Sequence, residues 1–154
     1  MIHSSIAENT VISLDDVDQR ILAILAEQGR AGGAEIGRRV NLSQPAISAR
    51  IKRLEDAGVI TGYRAEIDPR QLGRPLHAVL RLRTTQAHVT GALELFATMP
   101  EIRRIYRLTG EDCFLLDLRV ADAETLELTA DRIARFGPVI TSLVLREYPT
   151  SPTV

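Results

Sequence analysis

The sequence predicts an α+β chain: three short helices toward the N-terminus, then a βαββαβ unit. Two observations carry this. Apolar residues recur at helical spacing as far as Leu54, whereas from Ala78 they alternate with period two before helical spacing returns. Between the two regimes lies Asp68–Pro75, which holds Pro69, Gly73 and Pro75 and is the best candidate boundary in the chain.

The first helix begins after Asp15, a good N-cap, with Asp16 and Asp18 in the electropositive first turn. Val17, Ile21, Ile24 and Leu25 form one apolar stripe, and Gly29 stops the helix. A second helix over about Ala34–Val40 buries Ile36 and Val40, and Asn41 suits its end. Ser43 then caps a third helix in which Pro45 is tolerated, because a first-turn residue needs no N–H. Ile47, Ile51 and Leu54 follow at helical spacing, and Gly58 terminates the segment. At 100° per residue the opposite face carries Pro45, Ser48, Ala49, Lys52 and Arg53. Val59–Ile60 and Tyr63–Ile67 read as a short extended return.

Past the boundary, Ala78, Leu80 and Leu82 alternate with Val79, Arg81 and Arg83, a strand pattern. Val89, Ala92, Leu93, Phe96 and Ala97 make an amphipathic helix ended by Pro100. A strand over Ile102–Leu108, a tight turn at Thr109–Asp112 and an alternating strand through Phe114, Leu116, Leu118 and Val120 come next. Leu126, Ile133 and Phe136 place a helix over 123–136, and Val139–Tyr148 supplies the last strand. The resulting architecture is an N-terminal winged-type helix-turn-helix domain plus a C-terminal ferredoxin-like βαββαβ sandwich. The organisation reads as an arm over 1–13, the helical domain over 14–62, a strand and linker over 63–75, the sheet domain over 76–148 and a tail over 149–154.

Composition narrows the class. A chain of 154 residues with 45% hydrophobic and 25% charged residues is ordinary globular material. No apolar run approaches the roughly 20 residues of a bilayer span, and the N-terminus lacks a signal peptide's pattern, so the expected location is the cytoplasm. Cys113 is alone, so there is no internal disulfide and no cysteine-based zinc site. Net charge is −1, yet Ala34–Leu54 holds Arg38, Arg39, Arg50, Lys52 and Arg53 against Glu35 alone. Local basicity matters because the field decays over about 8 Å in physiological salt.

The last two helices, separated by Asn41–Ser43, have the helix-turn-helix arrangement. Small residues at the start of the third helix let its backbone approach base edges in a major groove about 12 Å wide. There Ser43, Gln44 and Ser48 can exchange hydrogen bonds, with Pro45 and Ala49 beside them. Lys52 and Arg53 can reach phosphates, as can Arg38 and Arg39 from the second helix.

Leu14–Leu22 and Leu42–Ile60 closely resemble the Lrp/AsnC (leucine-responsive, or feast/famine) family of prokaryotic transcription factors. The serine, arginine, Arg-Leu-Glu and Gly-Val-Ile elements fall in one unbroken register. A looser match continues through Ile67–Pro69 and Leu72–Gly73 to Thr109–Leu116, so the resemblance covers about 14–148. It implies a sequence-specific DNA-binding regulator with a C-terminal domain that dimerises and binds a small effector, often an amino acid. It also implies further assembly into octamers or other rings, and work at the nucleoid. The family usually has an acid where this chain has Cys113, one place beyond Asp112.

The resemblance makes Thr109, Gly110, Glu111, Asp112 and Cys113 the candidate effector site, with hydroxyls from Thr141 and Ser142, which a neighbouring subunit could supply. In chemical terms, exposed N–H groups at a glycine turn can hold a carboxylate, and an acid can pair an α-amino group. Apolar residues on both faces of the last strand (Ile140 and Val144; Leu143 and Leu145) point to a subunit interface. The alternative function is an architectural nucleoid protein wrapping DNA with little sequence preference. RNA binding ranks low because only Tyr106 and Phe114 could stack bases. No catalytic constellation stands out, and an acylphosphatase-like activity would rest on fold analogy alone, so no enzyme and no cofactor are expected. His3, His77 and His88 lack metal-ligand spacing, and Cys113 reads as a small buried hydrophobe.

Overall fold

The computed structural model describes residues 12–148. Most of the expected arm, including His3, and the tail over 149–154 lie outside the described residues. The chain divides into two compact units, one running to Glu66 and the other spanning Ile67–Tyr148.

The first unit is built from α1 (Asp16–Glu27), α2 (Gly33–Val40) and α3 (Gln44–Asp56). Each sequence cap is present. Asp15 and Asp18 exchange backbone-to-carboxylate hydrogen bonds at 2.8 and 3.1 Å, a capping box that satisfies two otherwise orphaned N–H groups. Ser43 caps α3 by accepting from the Ala46 N–H at 3.4 Å. Ile21, Ile24, Ile36, Val40, Ile47 and Leu54 close into one core, as the apolar stripes require.

The turn between α2 and α3 is tight. Asn41 takes the left-handed conformation (φ 61°) that ends α2. The chain then doubles back so closely that a Cβ on Gly37 would lie 2.5 Å from the Leu42 carbonyl oxygen. Only glycine fits there without a shift of backbone.

The second unit is a four-stranded antiparallel sheet in the order β2-β3-β1-β4, with β1 at Leu76–Leu82, β2 at Ile102–Arg107, β3 at Phe114–Val120 and β4 at Val139–Leu143. Helices α4 (Val89–Ala97) and α5 (Ala123–Ala134) pack on one face. Ala78, Leu80 and Leu82 of β1 and Phe114, Leu116 and Leu118 of β3 point into that core, meeting Ala92, Phe96 and Ile133. Phe114 is held edge-on by Phe96, ring centroids 5.5 Å apart. The other face carries His77, Val79 and Arg81 of β1 and Leu115, Asp117 and Arg119 of β3, by alternation.

Two expectations are corrected. Neither Val59–Ile60 nor Tyr63–Ile67 is a strand: a strand needs a hydrogen-bonded neighbour, and among the described residues none pairs with either segment, Val59 and Ile60 donating instead to the Leu54 carbonyl in the turn after α3. The last strand ends at Leu143 rather than running to Tyr148. Its partner β1 begins at Leu76, so after Val144 donates to the His77 carbonyl at 2.9 Å only one residue of β1 is left and the ladder stops. Two short 3-10 turns, Pro69–Leu72 and Gln86–His88, have no counterpart in the sequence reading, and the remaining differences are shifts of a residue or two at element ends.

Candidate nucleic-acid interface and effector site

Helix α3 presents an outward face that is polar apart from Pro45 and Ala49. Ser43, Gln44, Pro45, Ser48, Ala49, Lys52 and Arg53 are all exposed, while Ile47 and Leu54 on the other side are fully buried. A groove lined by Ala34, Gly37, Arg38, Asn41, Leu42, Ser43 and Gln44 runs beside the start of α3. Arg38 and Arg39 stand exposed in the last turn of α2, where cations also complement the helix dipole.

The cations divide into two kinds. Asp18, fully buried on α1, accepts from Arg50 at 2.8 Å and from Arg53, and Arg50 also reaches Asp15 at 2.7 Å. Burial alone would push the Asp18 carboxyl up. Hydrogen bonds from Arg50, the Asp15 N–H and Arg53 outweigh it and hold the group below its ordinary value. Arg50 and Arg53 thus tie α3 to α1, although half of the Arg53 side chain is still exposed. Lys52 is more open, pairing at 2.9 Å with Asp56 one turn along. Arg39 lies 3.8 Å from Glu27, and Arg38 has no ion-pair partner among the described residues. Sequence spacing placed Lys52 and Arg53 together on the outward face but carried no sign of Asp18, because that partner lies 35 residues upstream.

In the second unit the turn between β2 and β3 places Gly110 at φ 94°, a conformation other residues rarely adopt. Leu108 donates to the Cys113 carbonyl at 3.0 Å and closes the turn. Its acids already have partners: Glu111 pairs with Arg83, and Asp112 pairs with Arg81 at 3.1 Å. Cys113 is half-buried rather than buried, its Sγ 3.0 Å from the Thr84 carbonyl to which it donates. Thr141 and Ser142 are exposed on β4, opposite Leu80 and Val79. Since β1 intervenes between β3 and β4, one chain does not bring these hydroxyls to the turn. Phe114 faces the helices and cannot stack on a base, which leaves Tyr106 as the exposed aromatic of the pair.

Residues 14–55 match the AsnC-type helix-turn-helix domain, and residues 77–154 match the Lrp/AsnC ligand binding domain. The chain is 27% identical to the HTH-type transcriptional regulator LrpC of Bacillus subtilis, covering 90% of this chain and 96% of that protein. The structure of LrpC superposes with a TM-score of 0.85 over 90% of this chain and 99% of that one. The HTH-type transcriptional regulator LrpA of Mycobacterium tuberculosis is 34% identical over 79% of this chain and 81% of its own length. A feast or famine regulatory protein from M. tuberculosis, solved in complex with L-methionine, is 30% identical with a TM-score of 0.79, covering 92% of this chain and 99% of that one.

The chain therefore belongs to the Lrp/AsnC family. It is a DNA-binding transcriptional regulator with a C-terminal ligand-binding domain, and not an enzyme. Among the described residues no helix is long and apolar enough to cross a membrane.

Proposed function

We propose that the protein binds promoter DNA as a homodimer, with α3 of each subunit in a major groove, and that an amino acid alters the assembly. The observation that carries this is the exposed face of α3, with Arg38 and Arg39 flanking its start. Gln44 and Ser48, with Ser43, Pro45 and Ala49, would meet base edges; Lys52 and the exposed part of Arg53 would meet phosphates. The open face of the sheet, where Tyr106 and Ile140 are exposed, supports pairing with a second copy. A two-fold dimer would read half-sites about one helical turn apart on chromosomal DNA at the nucleoid. The three-part domain reading, 14–62 for DNA, 63–75 as linker and 76–148 for effector and assembly, follows from the same roles.

The relatives solved with L-methionine support an amino acid as effector. The site would be the Thr109–Cys113 turn of one subunit, completed by Thr141 and Ser142 of another. There the ligand ammonium would compete with Arg81 and Arg83 for Asp112 and Glu111. Titration of a promoter fragment against wild type and a Gln44→Ala/Ser48→Ala/Lys52→Ala variant tests the DNA reading. Loss of at least about tenfold in affinity is expected, and unchanged binding would overturn it. Light scattering with and without L-methionine, on wild type and Asp112→Ala, tests the effector reading: a change of mass in wild type only is expected.

A further inference from the structure

The start of α2 meets the outward side of α3 at a residue with no side chain. Gly33, the first residue of α2, is half-buried. A Cβ built on it would lie 3.5 Å from Gln44 Cγ, 3.6 Å from Ser48 Oγ and 3.9 Å from Ile47 Cγ2. Gln44 and Ser48 stand one turn apart on α3, so position 33 flanks both. Its backbone is ordinary α-helix, without the positive φ that would call for glycine.

Gly37, one turn along the same helix, is the opposite case: there the Leu42 carbonyl oxygen leaves a side chain no room. At position 33 every distance is ordinary van der Waals contact, at which an added methyl attracts rather than clashes. The effect of glycine is to leave one flank of Gln44 and Ser48 bare. Both side chains are otherwise exposed. Side-chain hydrogen bonds along α3 engage Arg50, Lys52, Arg53, Glu55 and Asp56, and among the described residues none fixes Gln44 or Ser48. A side chain that is free to turn offers its donor and acceptor to more than one base pair, and it loses that freedom on binding.

We infer that Gly33 is a positioning residue for base recognition, and that glycine there keeps the readout by Gln44 and Ser48 broad. In Gly33→Ala the methyl backs the rotamers that both side chains now hold, and preorganised donors and acceptors discriminate more sharply between base edges. The inference rests on the proposed reading in which Gln44 and Ser48 meet bases. It concerns the selectivity of binding and not its strength, because phosphate contacts from Arg38, Arg39 and Lys52 are untouched.

The test uses the full-length protein and a pool of duplexes randomised over about 20 base pairs, the bound fraction being sequenced to give a preference at each pair. Gln44→Ala and Ser48→Ala first mark the pairs that these side chains read, by the preference each removes. Gly33→Ala should raise the preference at the marked pairs by about threefold or more, with affinity for unselected duplex and its salt slope unchanged. The rise should vanish when Gly33→Ala is combined with Gln44→Ala and Ser48→Ala, whereas a general stiffening of the helical unit would persist there. A preference that Gly33→Ala leaves unchanged or broadens, a uniform loss of affinity, or a rise that survives in the combined variant would overturn the inference and leave the proposed reading standing. If neither Gln44→Ala nor Ser48→Ala alters the preference, the reading itself fails and the role of Gly33 with it.

Discussion

The buried Asp18 carboxylate receives Arg50 at 2.8 Å across 32 residues of chain. The same group caps α1 by accepting from the Asp15 N–H and also takes the Arg53 guanidinium, so one side chain fixes the start of α1 against the middle of α3. The geometry of the helix-turn-helix is therefore held partly by charge, not only by its isoleucine core. Asp18→Asn leaves two guanidiniums without their shared counter-charge. The helical unit should lose about 3 kcal/mol, read by chemical denaturation. Operator affinity should fall with it, as Arg53 loses its anchor.

Acid should act on the same device. Asp15 is held low first by the Asp18 N–H and then by Arg50, and Asp18 is held low by the bonds that outweigh its burial. With folded values below the ordinary 3.8, their contribution is complete above that pH. As pH falls further, the unfolded chain takes up protons first, and stability drops until the folded carboxylates are protonated too. Far-ultraviolet circular dichroism between neutral pH and strong acid should show a loss of helix that is shallower in an Asp15→Asn/Asp18→Asn variant.

Gly37 should tolerate no side chain. Alanine there places a methyl against the Leu42 carbonyl, and the turn before α3 must open to admit it. A cost of about 1–3 kcal/mol is expected in thermal unfolding, together with weakened DNA binding. Gly29, where a Cβ would meet nothing nearer than the Leu25 carbonyl at 3.8 Å, serves as a control position: Gly29→Ala should leave both nearly unchanged.

Lys52 and Asp56 allow the phosphate role to be separated from the fold. Asp56 holds the Lys52 ammonium at 2.9 Å and raises its pKa, first through that hydrogen bond and then through its charge. Lys52→Ala should weaken binding to specific and random duplexes alike and reduce the salt slope by about 1. Asp56→Asn should do the reverse, strengthening binding to both, because the carboxylate that competes with phosphate is gone. Titrations at several salt concentrations distinguish the two variants.

What the sequence made legible was local. Asp15, Asn41 and Ser43 marked helix ends because capping is a contact between near neighbours, and Phe114 to Val120 announced a half-buried strand by alternation. What it hid was mostly long-range. Arg53 looked like a free cation because its anchor sits on another helix, and Gly37 looked unremarkable because its constraint comes from Leu42 folding back over it. Tyr63–Ile67 had the composition of a strand without a partner among the described residues.

The core around Ile21, Ile36, Ile47 and Leu54 shares no side chain with the core around Leu80, Phe96, Leu116 and Ile133. Substitutions that retune what α3 recognises are thereby spared any repacking beneath the sheet, and repacking beneath the sheet leaves the core behind α3 as it is. Lineages descending from such a chain can acquire a new genomic address and a new metabolic cue in separate steps.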